Sequence, residues 1–390
     1  MQRKESILTF FRIISTVLLF MVNVICTVNG QERVRARDLG VEIGMFRPGP
    51  FNSITDVEGV KVGHSTLIRG DSVRTGVTVI HPHGGNLFLE KVPAAVYVTN
   101  GFGKLVGTTQ IEELGTIETP IALTNTLNTF LVANALIDYM IKSSGPLRSV
   151  NPIVGETNDS GLNDIQGRHI QKEHLFEAIK NSHSGPIEEG SVGAGTGTQA
   201  LGFKGGIGTA SRILPKLQGG YKVGVLVQSN FGGLLTIDGV PVGKEMGKVP
   251  FRKDLSIEDE GSCMIVIATN APLSPRNLKR IAKRTSHAFG RVGAYSSNGS
   301  GDYAIAFSTA PEVRRNAMIS AGKEFTLREV KNNEMSPLFQ AVIESTEEAI
   351  INSIMMATSI ESRFGRSEAL PINETVIILK KYGVINDVSN

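Results

Sequence analysis

The sequence predicts an α/β protein whose strands and helices stack in layers, and three observations carry that prediction. Short apolar or alternating runs bounded by glycine recur through the first part of the chain. One long amphipathic stretch interrupts them, and after residue 262 two apolar runs are each followed by a helix that opens with Ser-Pro. Strands and helices mixed in this order pack as layers, because every sheet face and helix stripe must bury against another element.

Taken in order, Val57, Val60 and Val62 and then Val77, Val79 and Ile80 read as strands, and Ala94 to Val98 as a further apolar run. Leu127, Phe130, Leu131, Ala135, Ile137, Tyr139 and Ile141, ahead of Gly145, read as a helix. Residues 150–155 form a short strand-like run ending at Glu156. Glycines crowd the stretch from Gly193 to Gly208, which shows almost no helical pattern, and Tyr221 to Gln228 reads as a buried strand stopping at Asn230. Residues 250–261 are polar and charged and read as an exposed loop, after which Ser262 to Ala268 turns abruptly apolar, as a buried strand does. Ser274-Pro275 opens a helix with Leu278, Ile281, Ala282 and Phe289 inside and Gly290 at its end. Tyr303 to Ser308 is another strand, and Ser336-Pro337 opens a second helix through Met355.

The chain has 390 residues, 41% hydrophobic and 20% charged, which suits a globular protein with a well-buried core. Its first thirty residues stand apart. Arg3, Lys4 and Arg12 precede the apolar run Ile13 to Val22, and small or moderate residues lead to Gly30. That order is expected of a secretory signal peptide over 1–30, and of a secreted or periplasmic protein. Without those residues, which hold three of the 40 basic and one of the 37 acidic side chains, 37 basic and 36 acidic remain. So even a balance gives no electrostatic case for nucleic acid or an anionic membrane. Of the two cysteines only Cys263 remains, so no disulfide within the mature chain is expected.

Ser262 lies where the charged loop meets the buried strand, behind Gly261. Cleavage there would leave a serine whose α-amine, with an ordinary pKa of about 7.7–8.0, can act as a base beside its own hydroxyl. Taken alone, Gly-Ser before a strand is ordinary loop chemistry. Tyr295-Ser-Ser-Asn-Gly-Ser-Gly-Asp302 feeds into a strand, and Ser300 and Asp302, two apart, can face one site. A hydroxyl can relay a proton and a carboxylate can orient it.

Gly261-Ser262 before an apolar strand, Ala271-Pro-Leu273, the basic helix, Ser297-Asn-Gly-Ser-Gly-Asp302 and Ala306-Phe-Ser-Thr309 together resemble the L-aminopeptidase/D-esterase-amidase and β-peptidyl aminopeptidase family. Its opening block resembles Phe51-Asn-Ser-Ile-Thr-Asp-Val-Glu-Gly-Val-Lys-Val-Gly-His64. Gly155-Glu-Thr-Asn-Asp159, Leu162-Asn-Asp164, Gly195-Thr-Gly197 and Gly202 to Ala210 resemble its middle. The resemblance implies a four-layer α-β-β-α sandwich of N-terminal-nucleophile hydrolase type. It also implies one catalytic domain, 31–390, cut into 31–261 and 262–390, and an oligomer of processed heterodimers. Ser262 would be the nucleophile freed at the Gly261–Ser262 bond, with Ser300 and Asp302 its polar support. Asn230 would donate to the oxyanion, Asn158 would stand where relatives carry a second donor, and Glu156 would bind the ammonium of a short peptide, amide or ester. No cofactor or metal is implied. Cys263 should face away from Ser262 as a small buried hydrophobe.

Other readings are weaker. Gly193-Ala-Gly-Thr-Gly197 lacks the helix that a dinucleotide loop needs, and His81 and His83, like His64 and His169, lack partners at metal-site spacing. Arg276, Lys279, Arg280, Lys283 and Arg284 read as a solvated helix face. The ornithine-type acyltransferases share the layered architecture but generally use threonine as nucleophile. A secreted binding protein that has lost processing is the non-enzymatic alternative.

Overall fold

A computed structural model describes residues 32–251, 260–316 and 326–386. The chain divides into two compact units, Met1–Arg33 and Val34–Asn390, and the fold is that of the second. The expected signal peptide lies outside the described residues, as do 252–259 of the expected polar loop.

Two sheets face each other. The first orders β1 (Lys61–Arg69), β2 (Val73–His81), β6 (Ile121–Asn125), β7 (Ile153–Thr157) and β4 (Leu105–Val106). The second orders β10 (Gly206–Ile213), β11 (Lys222–Asn230), β12 (Glu260–Thr269), β13 (Gly299–Ser308), β3 (Glu90–Gly101) and β14 (Arg315–Asn316), with β5 (Thr116–Ile117) also on β3. Most neighbours are antiparallel; β6 with β7 and β12 with β13 are parallel. A small hairpin, β8 (Gln199–Ala200) with β9 (Phe203–Lys204), leads into β10, and another, β15 (Ile360–Ser362) with β16 (Gly365–Ser367), lies near the end of the described chain.

Three apolar clusters fill the spaces between four layers. Val62, Ile80, Leu123 and Ile153 of the first sheet meet Ile207, Leu226, Met264, Val266 and Ile305 of the second in the middle. Val77, Val79, Ala122 and Val154 pack outward on Val132 and Leu136 of α2 (Thr129–Ser144) and Leu175 and Ala178 of α3 (Lys172–Lys180). On the other side, Val225, Val227, Cys263, Ile265 and Ile267 pack on α5 (Pro275–Ala282), α6 (Thr285–Val292) and α7 (Ser336–Met355). Alternate residues of one strand thus serve two different cores, as a period of two requires. The four-layer α-β-β-α sandwich follows. The helices α1 (Thr108–Leu114), α4 (Val242–Glu245) and α8 (Ile372–Lys381) complete the described set.

Several expected elements move. Val57 and Val60 precede the strand, which starts at Lys61, because Ser53 and Asp56 close a capping box on a 3-10 turn at Ile54–Asp56. The strand expected from Ser262 begins two residues earlier, at Glu260, so Gly261 is buried in the sheet instead of lying in the loop. The single helix expected over 275–289 is two, α5 and α6, broken at Lys283 and Arg284, and it ends at Gly293, whose φ of 85° suits glycine, not at Gly290. Its basic face is partly engaged. Arg280 and Arg284 stack on Phe339, and Lys279 pairs with Glu112. His169 is also paired, its Nε2 being 2.9 Å from Asp164.

Candidate active site

Ser262 is the third residue of β12 and lies in register between Asn230, the last residue of β11, and Gly301 of β13. Met264 and Val266, of the same parity, face the middle layer, so the Ser262 side chain points toward the first sheet. There β7 comes close because residue 155 is glycine. A Cβ at that position would lie 2.3 Å from Met264 Cε, so a side chain there would require the Met264 side chain to move where β7 and β12 meet.

That approach brings Asn158, just past β7, onto the serine. Its backbone N–H donates to Ser262 Oγ at 3.2 Å, and Asn230 Nδ2 donates to the same oxygen at 3.3 Å. The Asn230 amide is held in this orientation because Oδ1 accepts from Gln199 N at 2.9 Å and Nδ2 also donates to Asn158 O at 2.9 Å. Two N–H donors beside a buried serine oxygen are within reach of a carbonyl oxygen brought up to that serine, where negative charge can develop. Asn158 contributes through its main chain, while its side-chain Oδ1 turns to Ser160 N at 3.0 Å. That differs from the side-chain amide expected there; the turn after β7 aims the peptide N–H, not the carboxamide, at the serine.

Ser300 and Asp302 meet as their spacing implied: Ser300 Oγ donates to Asp302 Oδ1 at 2.8 Å, and both are buried. Ser300 is the register partner of Gly261, and its Oγ would stand only 3.0 Å from a Cβ on Gly261. The hydroxyl therefore lies against the peptide unit that joins Gly261 to Ser262. Burial pushes the Asp302 carboxyl above the usual aspartate range, with the Ser300 hydrogen bond opposing it. Its Oδ2 has no hydrogen-bond partner among the described residues.

Glu156 lies on β7 and is 4% exposed. Lys104 N donates to its Oε1 at 3.0 Å, Lys104 Nζ is 3.5 Å from the same atom, and Thr126 Oγ1 donates to Oε2. Glu156, Lys104, Phe102, Thr126, Asn158 and Ser262 line one cavity of about 330 Å³. A fixed carboxylate and an attackable hydroxyl thus share one space. Lys104, Thr126, Gln199 and the backbone of Asn158 were not singled out from the sequence, and they carry no motif or periodicity that would have flagged them. Cys263 faces the opposite core beside Ile265, where burial raises its thiol well above the ordinary range. Among the described residues no three His, Cys, Asp or Glu side chains cluster as a metal site would.

The four-layer sandwich with a serine at the head of a central strand, under two N–H donors and beside a carboxylate-lined cavity, defines a hydrolase of the N-terminal-nucleophile fold. The chain belongs to peptidase family S58, whose model matches residues 52–368. It is 40% identical over 373 residues to β-peptidyl aminopeptidase BapA of Sphingosinicella microcystinivorans, covering 90% of this chain and 93% of that one. Among solved structures, a protein of Pyrococcus horikoshii OT3 is 48% identical with a TM-score of 0.83, covering 90% of this chain and all of the other. The L-aminopeptidase D-Ala-esterase/amidase of Ochrobactrum anthropi, described as a prototype for the serine aminopeptidases and a variant of the Ntn hydrolase fold, is 35% identical with a TM-score of 0.82, covering 90% and 99%. The chain is accordingly a hydrolase of the aminopeptidase class.

Proposed function

We propose that the chain cuts itself between Gly261 and Ser262 and then removes N-terminal residues, small α- or β-amino acids, from short peptides, amides or esters. What supports this reading is the placing of Ser262 Oγ under the Asn158 and Asn230 donors within the cavity that holds Glu156. In self-cleavage the Ser262 hydroxyl adds to the Gly261 carbonyl, the Ser262 nitrogen leaves as an amine, and water hydrolyses the resulting ester. The products are residues 31–261 ending in a carboxylate and 262–390 starting with a free amine. That amine is the base for the next cycle, since its pKa of ~7.7–8.0 lets it take the proton of its own hydroxyl near neutral pH. Ser300, held by Asp302, is placed to pass that proton, and the two N–H donors receive the oxyanion.

Glu156 sets the register. A substrate ammonium paired with its carboxylate holds the first carbonyl at one distance, over Ser262. Each step uses these groups and water. The leader-like residues 1–30 support export to the periplasm or beyond, and the family resemblance supports an oligomer of processed heterodimers.

The decisive test is Ser262→Ala, which should give one uncut, inactive chain on a denaturing gel; splitting at the same bond would overturn the reading. Glu156→Gln should process normally yet lose aminopeptidase turnover by about a hundredfold, the scale for truncating one partner of a buried charge pair. Wild-type turnover of para-nitroanilides should vanish on N-acetylation. Equal rates with and without the acetyl group would remove Glu156 from its role.

A further inference from the structure

A second, larger cavity of about 530 Å³ opens on the other side of the serine. The two lie over different parts of the strand order β11-β12-β13-β3. The Glu156 cavity lies over the ends of β12, β13 and β3, with Gly299, Gly101 and Phe102 in its wall. The larger one lies over the end of β11 and the β8–β9 hairpin, with Asn230, Phe231, Leu201 and Phe203 in its wall. Asn158 lines both.

A planar carbonyl held at Ser262 with its oxygen toward Asn158 N–H and Asn230 Nδ2 sends its two substituents in different directions. If the ammonium-bearing side runs to Glu156, the departing side runs over Asn230 into the larger cavity. Its inner wall is apolar: Leu201, Phe203 and Phe231 are buried. Its rim carries two cations, Lys248 and Arg366, and one carboxylate, Glu368. Arg366 is already engaged, with Glu368 at 3.4 Å and Glu361 at 3.9 Å. Lys248 has no ion pair among the described residues, and its ammonium stands 5.8 Å from the Phe203 ring centroid. Its stem lies over the turn of the β8–β9 hairpin, where Gly202, with φ of 85°, leaves room; a Cβ there would meet Lys248 Cβ at 3.4 Å. Lys248 is thus anchored while its charge remains available.

We infer that this cavity holds the leaving fragment, and that Lys248 selects fragments ending in a free carboxylate and carrying an apolar side chain. The preferred substrates are then short peptides, above all dipeptides, whose second residue departs as a free amino acid. The inference rests on the function proposed above and adds the identity of the leaving group. No bond changes beyond those already written are needed.

The test compares two substrates on one enzyme: a dipeptide with leucine second, and the same dipeptide with its C-terminus amidated. Release of leucine and of leucinamide is followed, with the first residue taken from the best para-nitroanilide. The ratio of kcat/KM for acid over amide should be about fivefold in the wild type, the scale of one solvent-facing ion pair. In Lys248→Met it should fall toward one, and in Lys248→Arg it should return. Because both substrates meet the same preparation, loss of folded protein leaves the ratio unchanged. A wild-type ratio of one or less, or a ratio untouched in Lys248→Met, would overturn the assignment. Para-nitroanilide turnover keeps the two claims apart. Its absence would sink the aminopeptidase reading, whereas its presence with no acid preference sinks only the leaving-group site.

Discussion

Arg212, on β10, and Asp302, on β13, are both buried in the second sheet, yet their surroundings differ in kind. Arg212 is wholly buried and fully engaged. Its Nε lies 3.1 Å from Glu344 and its Nη2 2.6 Å from Glu348, while Nη1 and Nη2 also donate to Ser211 O and Ile43 O. Arg37 pairs with Glu348 as well, so two cations face two carboxylates. Asp302 pairs with no cation among the described residues; burial raises its pKa, and only neutral groups, the Ser300 and Ser296 hydroxyls and the Cys263 backbone, oppose that. The first cluster is closed and serves the scaffold. The second is left electrostatically open, and that is what a group meant to handle protons needs. The closed cluster also joins residues on both sides of the proposed cut, Arg37 and Arg212 to Glu344 and Glu348, so after such a cut it would help keep the two pieces together.

The largest effect should come from opening the closed cluster. Arg212→Met leaves two buried carboxylates short of charge and should cost about 3–5 kcal/mol in denaturant unfolding. Turnover per folded molecule should change little. A variant as stable as the wild type would end the contrast.

Asp302→Asn should do the reverse, lowering turnover by about a hundredfold, in the usual range for losing acid–base support. A carboxyl whose folded pKa is raised favours folding most when protonated. Its contribution is present below the unfolded pKa of ~3.9 and is lost as pH rises through the folded value. At neutral pH the asparagine variant should therefore melt no lower than the wild type. The Ser262 α-amine gives wild-type kcat an acidic limb that the variant should keep, whereas a further acidic step from Asp302 should lie above the ordinary aspartate range and be missing from the variant. A lower Tm at pH 7 would place Asp302 with the scaffold instead.

The smallest effect concerns Lys104, whose ammonium sits on the oxygen of Glu156 that a substrate ammonium would seek. Being half-exposed, it should compete only weakly, so Lys104→Met should lower KM about threefold for free-amine substrates. A raised KM would show that Lys104 helps to bind substrate.

Much of this was legible in advance because it depends on neighbours in sequence. The apolar run from Ser262, the opposite facing of Cys263, the Ser300–Asp302 pair and the long helix before Gly145 follow from spacings of two to four residues. Elements without such a signature escaped. The strand Gly206–Ile213 hid in a glycine-rich stretch that gives no alternation, and Ile121–Asn125 and Lys172–Lys180 were too short to stand out. The break at Lys283 and Arg284 lies inside a run that looks helical throughout.

By itself the sequence determined the layered α/β class and the family, and it singled out Ser262 as the candidate nucleophile, since ordered motifs and local periodicity survive without coordinates. Only the tertiary structure decided how the site is assembled. The Asn158 N–H reaches Ser262 across 104 positions, the Lys104 N–H reaches Glu156 across 52, and Gln199 orients Asn230 across 31. Gly155 matters because Met264 of the opposing sheet occupies the space where its side chain would be. Such contacts depend on how two sheets stack and in which register, and no local pattern along one chain encodes that geometry.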